Sequence, residues 1–231
     1  MSTIHETPAG PLEKHTRLPT GWSLADLQRH LGDIPAERIR LDPPPGYATE
    51  EDLLRIGDTE GRLYELELGV LVEKPMGWYE SIIAMQIGFR LGLYLKENNP
   101  GQVLGESGSL KFLPGVVKIP DVSFVSWARF PREKLPRRPI PLLIPDLVVE
   151  VLSESNSEKE MLAKLKIYFQ AGVSMVWYVE PATRTARSWT TLDQPVEIPV
   201  DGFLDGGTVL PGFRLSLADM FAEAERQGPP D

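Results

Sequence analysis

The strongest hydrophobic pattern in the chain lies between residues 145 and 180. Leu147 to Leu152 form a nearly continuous apolar run of strand length, which suits a strand covered on both faces. Met161, Leu162, Leu165, Tyr168 and Phe169 then recur at helical spacing, with Lys164 at the edge of that face beside Tyr168. Gly172 supplies a helix stop, and Met175 to Val179 form a second apolar strand. Strand, helix and strand within about 35 residues predict a βαβ unit. One residue breaks the first run: Glu150 is an acid where a fully covered strand should be apolar, so its carboxylate must meet a cation, a metal or a proton.

Elsewhere the pattern is more broken. Residues 1–19 have no periodicity and read as disordered. Ser23 with Asp26, and Thr49 with Asp52, resemble capping boxes that open two short helices, separated by the Pro-rich linker at 42–46. Tyr64 to Glu73 alternate around Gly69 as two short strands. A helix from Trp78 to Lys96 aligns Glu80, Ala84, Ile87 and Leu91, with Glu80 at its N-terminal end. Further strands are predicted at 110–113, 122–126, 185–189, 196–198 and 208–210, and Ser216 with Asp219 opens a last helix to about Arg226. The organisation expected is a disordered start (1–19), a helical extension with its linker (20–57) and one α/β domain of mixed α+β character (58–226).

Composition narrows the chemistry. The chain is 42% hydrophobic and 25% charged, as in an ordinary globular protein, and no apolar stretch approaches the length of a membrane span. There is no cysteine, which removes disulfides, thiolate nucleophiles and Cys-based zinc sites and fits a cytoplasmic protein. His5, His15 and His30 are the only histidines, so the body of the chain has no Ser-His pair and no HExxH zinc site. Core chemistry is left to carboxylates, lysine, hydroxyls and oxygen-bound metal. The net charge of −9 disfavours binding nucleic acid over the whole surface, but Arg129, Arg132, Lys134, Arg137 and Arg138 form one basic loop.

Asp121 opens the strand at 122–126, Glu150 lies within the next apolar strand, and Lys164 follows on a helix. Two converging carboxylates suit Mg²⁺ or Mn²⁺, which leave their other positions to water and phosphate oxygens. A neighbouring lysine would orient or deprotonate the attacking water, or neutralise a phosphoryl transition state. Asp146 also follows a proline, but four strand residues separate it from Glu150 by about 13 Å, too far to share a metal. Each residue has a plainer reading: Asp121 as a strand-entry acid, Lys164 as a snorkelling side chain, Glu80 as a helix-start acid, the basic loop as a solvated loop, and Glu150 with Lys164 as a structural salt bridge.

The runs KIPDVSFVS (118–126), PDLVVEVLSESN (145–156) and AKLKIYFQAGVSMVWYVEP (163–181) resemble the Uma-two family of restriction-endonuclease-like proteins, a branch of the PD-(D/E)XK nuclease superfamily. The resemblance extends to YELELGVLVEKPMGWYES (64–81) and VLPGFRLSLADMF (209–221) and covers about residues 45 to 221. It implies a restriction-endonuclease-like core: a mixed central sheet flanked by helices, with the active site at one end of the central strands. It implies Asp121 and Glu150 as metal ligands, Lys164 as the amine at the attacking water, and Glu80 as a supporting or additional metal ligand. Two positions depart from the family pattern. Leu152 stands where the superfamily usually has its lysine, so the amine must come from Lys164 on the helix, and Glu180-Pro181 replaces the family's Asp-Pro.

The expected function is therefore a Mg²⁺-dependent (or Mn²⁺-dependent) DNA endonuclease, acting as a homodimer because cutting both strands needs two sites. The competing expectation is an inactive nuclease-fold binding or scaffold protein with a structural Glu150–Lys164 pair.

Overall fold

The computed structural model describes residues 18–75, 77–130 and 135–227. The expectation of disorder for the first 17 residues, and the DNA-contact expectations for Arg132 and Lys134, fall outside the described residues.

Helices α1 (Leu24–His30) and α2 (Glu50–Glu60) both open with complete capping boxes, Ser23 with Asp26 and Thr49 with Asp52. The hairpin β1 (Tyr64–Glu67) and β2 (Val70–Glu73) turns through Leu68 and Gly69, at φ of 52° and 72°. Positive φ at both positions gives a turn whose twist matches that of the flanking strands. Helix α3 (Trp78–Asn98) follows, then β3 (Gly101–Gly105), β4 (Leu110–Leu113), β5 (Val116–Lys118) and β6 (Val122–Ser126). The predicted βαβ unit is β7 (Leu147–Val151), α4 (Glu158–Ala171) and β8 (Met175–Glu180), and Gly172 caps α4 at φ 97°. The chain closes with β9 (Thr185–Trp189), β10 (Val196–Ile198), β11 (Phe203–Asp205), β12 (Arg214–Ser216) and α5 (Leu217–Ala224).

Six strands form the central sheet in the order β10-β9-β8-β7-β6-β3, and β7 with β8 is its one parallel pair. Alternation along β7 divides the core. Val149 and Val151 face Ile83, Ala84, Ile87 and Leu91 of α3 and Phe221 of α5. Val148 faces Met161, Leu165 and Tyr168 of α4, together with Leu110 and Phe112 of β4. A second sheet, β2-β1-β5-β4, lies on the α4 side and carries α2. Residues 18–41 pack on β2 through Leu27, Leu31, Ile34 and Ile39. Among the described residues no helix is long and apolar enough to cross a membrane.

Two features differ from the sequence expectation. Residues 208–210, expected as a strand, are wound into a turn in which the amides of Val209 and Leu210 both donate to the Gly206 carbonyl; the strands there are β11 and β12. Strands β3 and β5 were not anticipated. β3 begins and ends in glycine, and β5 spans only three residues, so neither carries a readable alternation.

Candidate active site: two carboxylates on a buried charge network

β6 runs antiparallel to β7 with Val122 opposite Val149, so the next pair in register is Asp121 with Glu150. Directly opposite residues project from the same face, here the face covered by α4. Both acids line one small cleft at this end of the sheet, about 30 Å³ in volume, with Lys74, Glu80, Glu106 and Lys164 also on its walls. The four site residues expected from sequence thus come together. Lys74 and Glu106 join them unannounced.

Asp121 is fixed by two contacts. Its Oδ2 accepts the Val151 amide at 2.6 Å, and its Oδ1 lies 2.7 Å from the Lys74 ammonium. Lys74 also donates to the Ile119 carbonyl at 2.5 Å. Glu150 is buried, and both of its hydrogen bonds fall on Oε1, from the Tyr168 hydroxyl and from Lys164 Nζ at 3.5 Å. Burial, with the neighbouring charge of Asp121 added, raises the Glu150 carboxyl above the ordinary carboxylate range despite Lys164. Glu80 occupies the third helical position of α3, and its carboxylate folds back over Gly77, where a Cβ would lie 1.7 Å from Oε2.

Lys164 does not snorkel. It is 6% exposed and lies nearer to Glu65, at 3.1 Å, than to Glu150. Burial works against its charge, but Glu150 and Glu65 outweigh burial and hold the ammonium well above its ordinary range. The ammonium is thus held as a cation and hydrogen-bond donor between Glu65 and Glu150.

The network continues away from the cleft. Glu65 also meets Lys118 at 3.4 Å and accepts the Ile119 amide; Lys118 pairs with Glu67 at 2.8 Å, and Glu67 Oε1 lies 3.0 Å from His30 Nε2. Burial would raise both glutamates, yet Lys164 and Lys118 hold Glu65 at about 2, and Lys118 with His30 holds Glu67 at about 2. Beside this chain, Arg38 forms a two-pronged pair with Glu160 of α4, at 2.8 and 3.0 Å.

Other expected residues lie elsewhere. Asp146 sits at the opposite end of β7, where it accepts the Ser126 amide at 2.7 Å and pairs with Arg129 Nε at 2.8 Å. Arg129 is thus engaged away from the cleft, and it also donates to the Gly172 carbonyl and Ser174 hydroxyl. Arg137 and Arg138 are exposed.

Among the described residues, no three His, Cys, Asp or Glu groups gather as a ready-made metal cage. Two carboxylates lining one cleft nonetheless fit a hard cation such as Mg²⁺ or Mn²⁺, which takes one or two protein carboxylates and keeps water and phosphate oxygens elsewhere.

The chain and its fold have counterparts among known proteins. Residues 50–218 match the Uma2 family, described as "Putative restriction endonuclease", and the chain belongs to that family. A solved structure from Anabaena variabilis, described as "a putative nuclease belonging to DUF820", is similar over 71% of this chain and 92% of its own, with a TM-score of 0.63 and 22% identity. That likeness shows a shared fold. None of the curated proteins matches the chain.

Proposed function

We propose that the protein is a divalent-metal-dependent endonuclease that hydrolyses DNA phosphodiester bonds, with Asp121 and Glu150 as metal ligands. The observation that carries this reading is that the two carboxylates line one cleft together with Glu80 and Lys164, Asp121 immediately before β6 and Glu150 in the adjacent β7. A bound Mg²⁺ or Mn²⁺ would supply Lewis acidity to a phosphoryl oxygen at that position. Tyr168 and Lys164 both bond Glu150 Oε1, which leaves Oε2 as the oxygen to offer a cation. Lys164 contributes a fixed positive charge against the phosphoryl transition state. Glu80, on the cleft wall, is proposed as an additional ligand or as a support for a metal-held water. Arg137 and Arg138, with Arg132 and Lys134 of the same loop, are proposed to contact phosphates, while Arg129 serves the fold.

The test is nicking of supercoiled plasmid in Mg²⁺. Asp121→Asn is expected to abolish nicking, and Asp146→Asn to retain most of it, since the Asn oxygen still accepts the Ser126 amide. Equal loss in both variants rejects the assignment of Asp121.

Family membership and the absence of cysteine support action in the cytoplasm on DNA. A homodimer is supported by α3, where Trp78, Met85, Phe89 and Leu93 are exposed at helical spacing and Gly88 leaves open space beside them. Light scattering at micromolar concentration should give twice the monomer mass; a monomer rejects the dimer.

The second reading is an inactive nuclease-fold scaffold with a structural Glu150–Lys164 pair. It is favoured by one observation: both Asp121 oxygens and Glu150 Oε1 already have protein partners.

A further inference from the structure

Lys74 follows the last residue of β2, inside the run 64–81 but with no role expected for it there. Its side chain is 6% exposed, yet it ends on the wall of the cleft that holds Asp121 and Glu150. There the ammonium bridges a carboxylate oxygen and a main-chain carbonyl, Asp121 Oδ1 at 2.7 Å and Ile119 O at 2.5 Å. Carboxylate plus carbonyl is an oxygen pair of the kind a hard divalent cation takes, at closer range. Asp121 has no free oxygen while Lys74 is in place, because the Val151 amide holds Oδ2. A cation that used Asp121 Oδ1 would meet a positive charge within contact distance of its ligand.

We propose that the Lys74 ammonium is a built-in placeholder for the divalent cation, filling the position beside Asp121 in the metal-free protein and setting how tightly the centre takes up metal. This rests on the reading of Asp121 and Glu150 as metal ligands. Occupation by an ammonium gives the apo protein a neutralised Asp121, so a carboxylate pair that would otherwise repel is held together in the absence of metal. Metal uptake then requires Lys74 to leave. Its four-carbon stem allows a swing within the cleft, and Glu106 on the same walls offers a carboxylate to receive it. In that displaced position it adds a second positive charge, beside Lys164, where the phosphate backbone would lie.

The experiment is calorimetric titration of the full chain with MnCl₂, with free Mn²⁺ followed in parallel by its EPR signal, for wild type, Lys74→Met and Lys74→Gln. Methionine removes the charge and keeps the stem; glutamine can still donate to the Ile119 carbonyl and covers the case in which methionine does not fold. Removal of the charge is expected to tighten Mn²⁺ binding by tenfold or more, and the gain should vanish when Asp121→Asn is added. Unchanged or weaker affinity in a folded Lys74 variant, with wild type binding normally, overturns the placeholder and leaves the metal centre standing. No Mn²⁺ binding by wild type or variant removes the metal centre and the placeholder together.

Discussion

Glu65→Ala is expected to lose on the order of 3 to 5 kcal/mol of folding stability, the scale of leaving buried charges unpaired. Glu65 is 3% exposed and serves three donors: Lys164, Lys118 and the Ile119 amide. Its removal leaves two buried ammonium groups sharing what Glu150 and Glu67 can provide, and one buried N–H without an acceptor. For a domain whose total stability is typically about 5 to 15 kcal/mol, such a loss approaches global unfolding. Urea denaturation of wild type and variant at pH 7 measures it, and a loss below about 1 kcal/mol would contradict the network as described. The same carboxylates set the acid limit. Glu65 and Glu67 fall from 4.5 when unfolded to about 2 when folded, so their contribution is complete above about pH 5 and is lost as pH falls towards 2. Midpoints measured from pH 7 down to pH 2.5 should fall steeply below pH 5 in wild type, and less in Glu65→Gln, which has already lost that charge.

Glu150→Gln is expected to do the reverse: to cost at least about a hundredfold in Mg²⁺-dependent nicking while leaving apo stability unchanged or raised. Lys164 is held more closely by Glu65 than by Glu150, so it keeps a counterion after the change. Glutamine Oε1 still accepts the Tyr168 hydroxyl. What disappears is a buried charge whose carboxyl lies above the ordinary range, which means that its ionisation costs folding energy. The sign can be checked with pH. Below the unfolded carboxylate range wild-type Glu150 is protonated in both states and resembles Gln, so any advantage of the variant should appear only as pH rises towards neutrality. Thermal unfolding in EDTA and in millimolar Mg²⁺ distinguishes the two functional readings, because a metal that binds only the folded state raises the wild-type midpoint and raises the variant less. Strong destabilisation of Glu150→Gln in EDTA, with no Mg²⁺ shift in either protein, would establish the scaffold.

The sequence made Glu150 visible because a charge interrupts an apolar strand, and Asp121 visible because it opens the neighbouring one. Their union followed from strand pairing. Glu65 and Glu67 stayed hidden for a physical reason: Tyr64 to Glu67 alternate, and alternation reads as one face in the core and one in water. Both faces of β1 are buried, since α4 and its lysine cover the polar one. Lys74, Lys118 and Lys164 find their acids 47, 51 and 99 residues away, separations that no local period records. Lys164 was read at the edge of its helical face with a choice between water and the strand; the buried acids on two strands decided it. Three short helices were legible because caps are local, with Ser23, Thr49 and Ser216 each accepting the amide three residues on, whereas α3 and α4 were legible from their apolar spacing.

Apart from Lys164 with Glu150, 14 positions apart inside the βαβ unit, the linkages of the charge network join residues 37 to 122 positions apart. Until the hairpin, β5, β7 and α4 have all closed around it, each of these charges keeps its own water, and pairing gives little help in crossing the folding barrier. Interactions made after the barrier act on the reverse step alone, where they slow unfolding. The buried ions therefore act on how long the folded molecule lasts more than on how fast it forms.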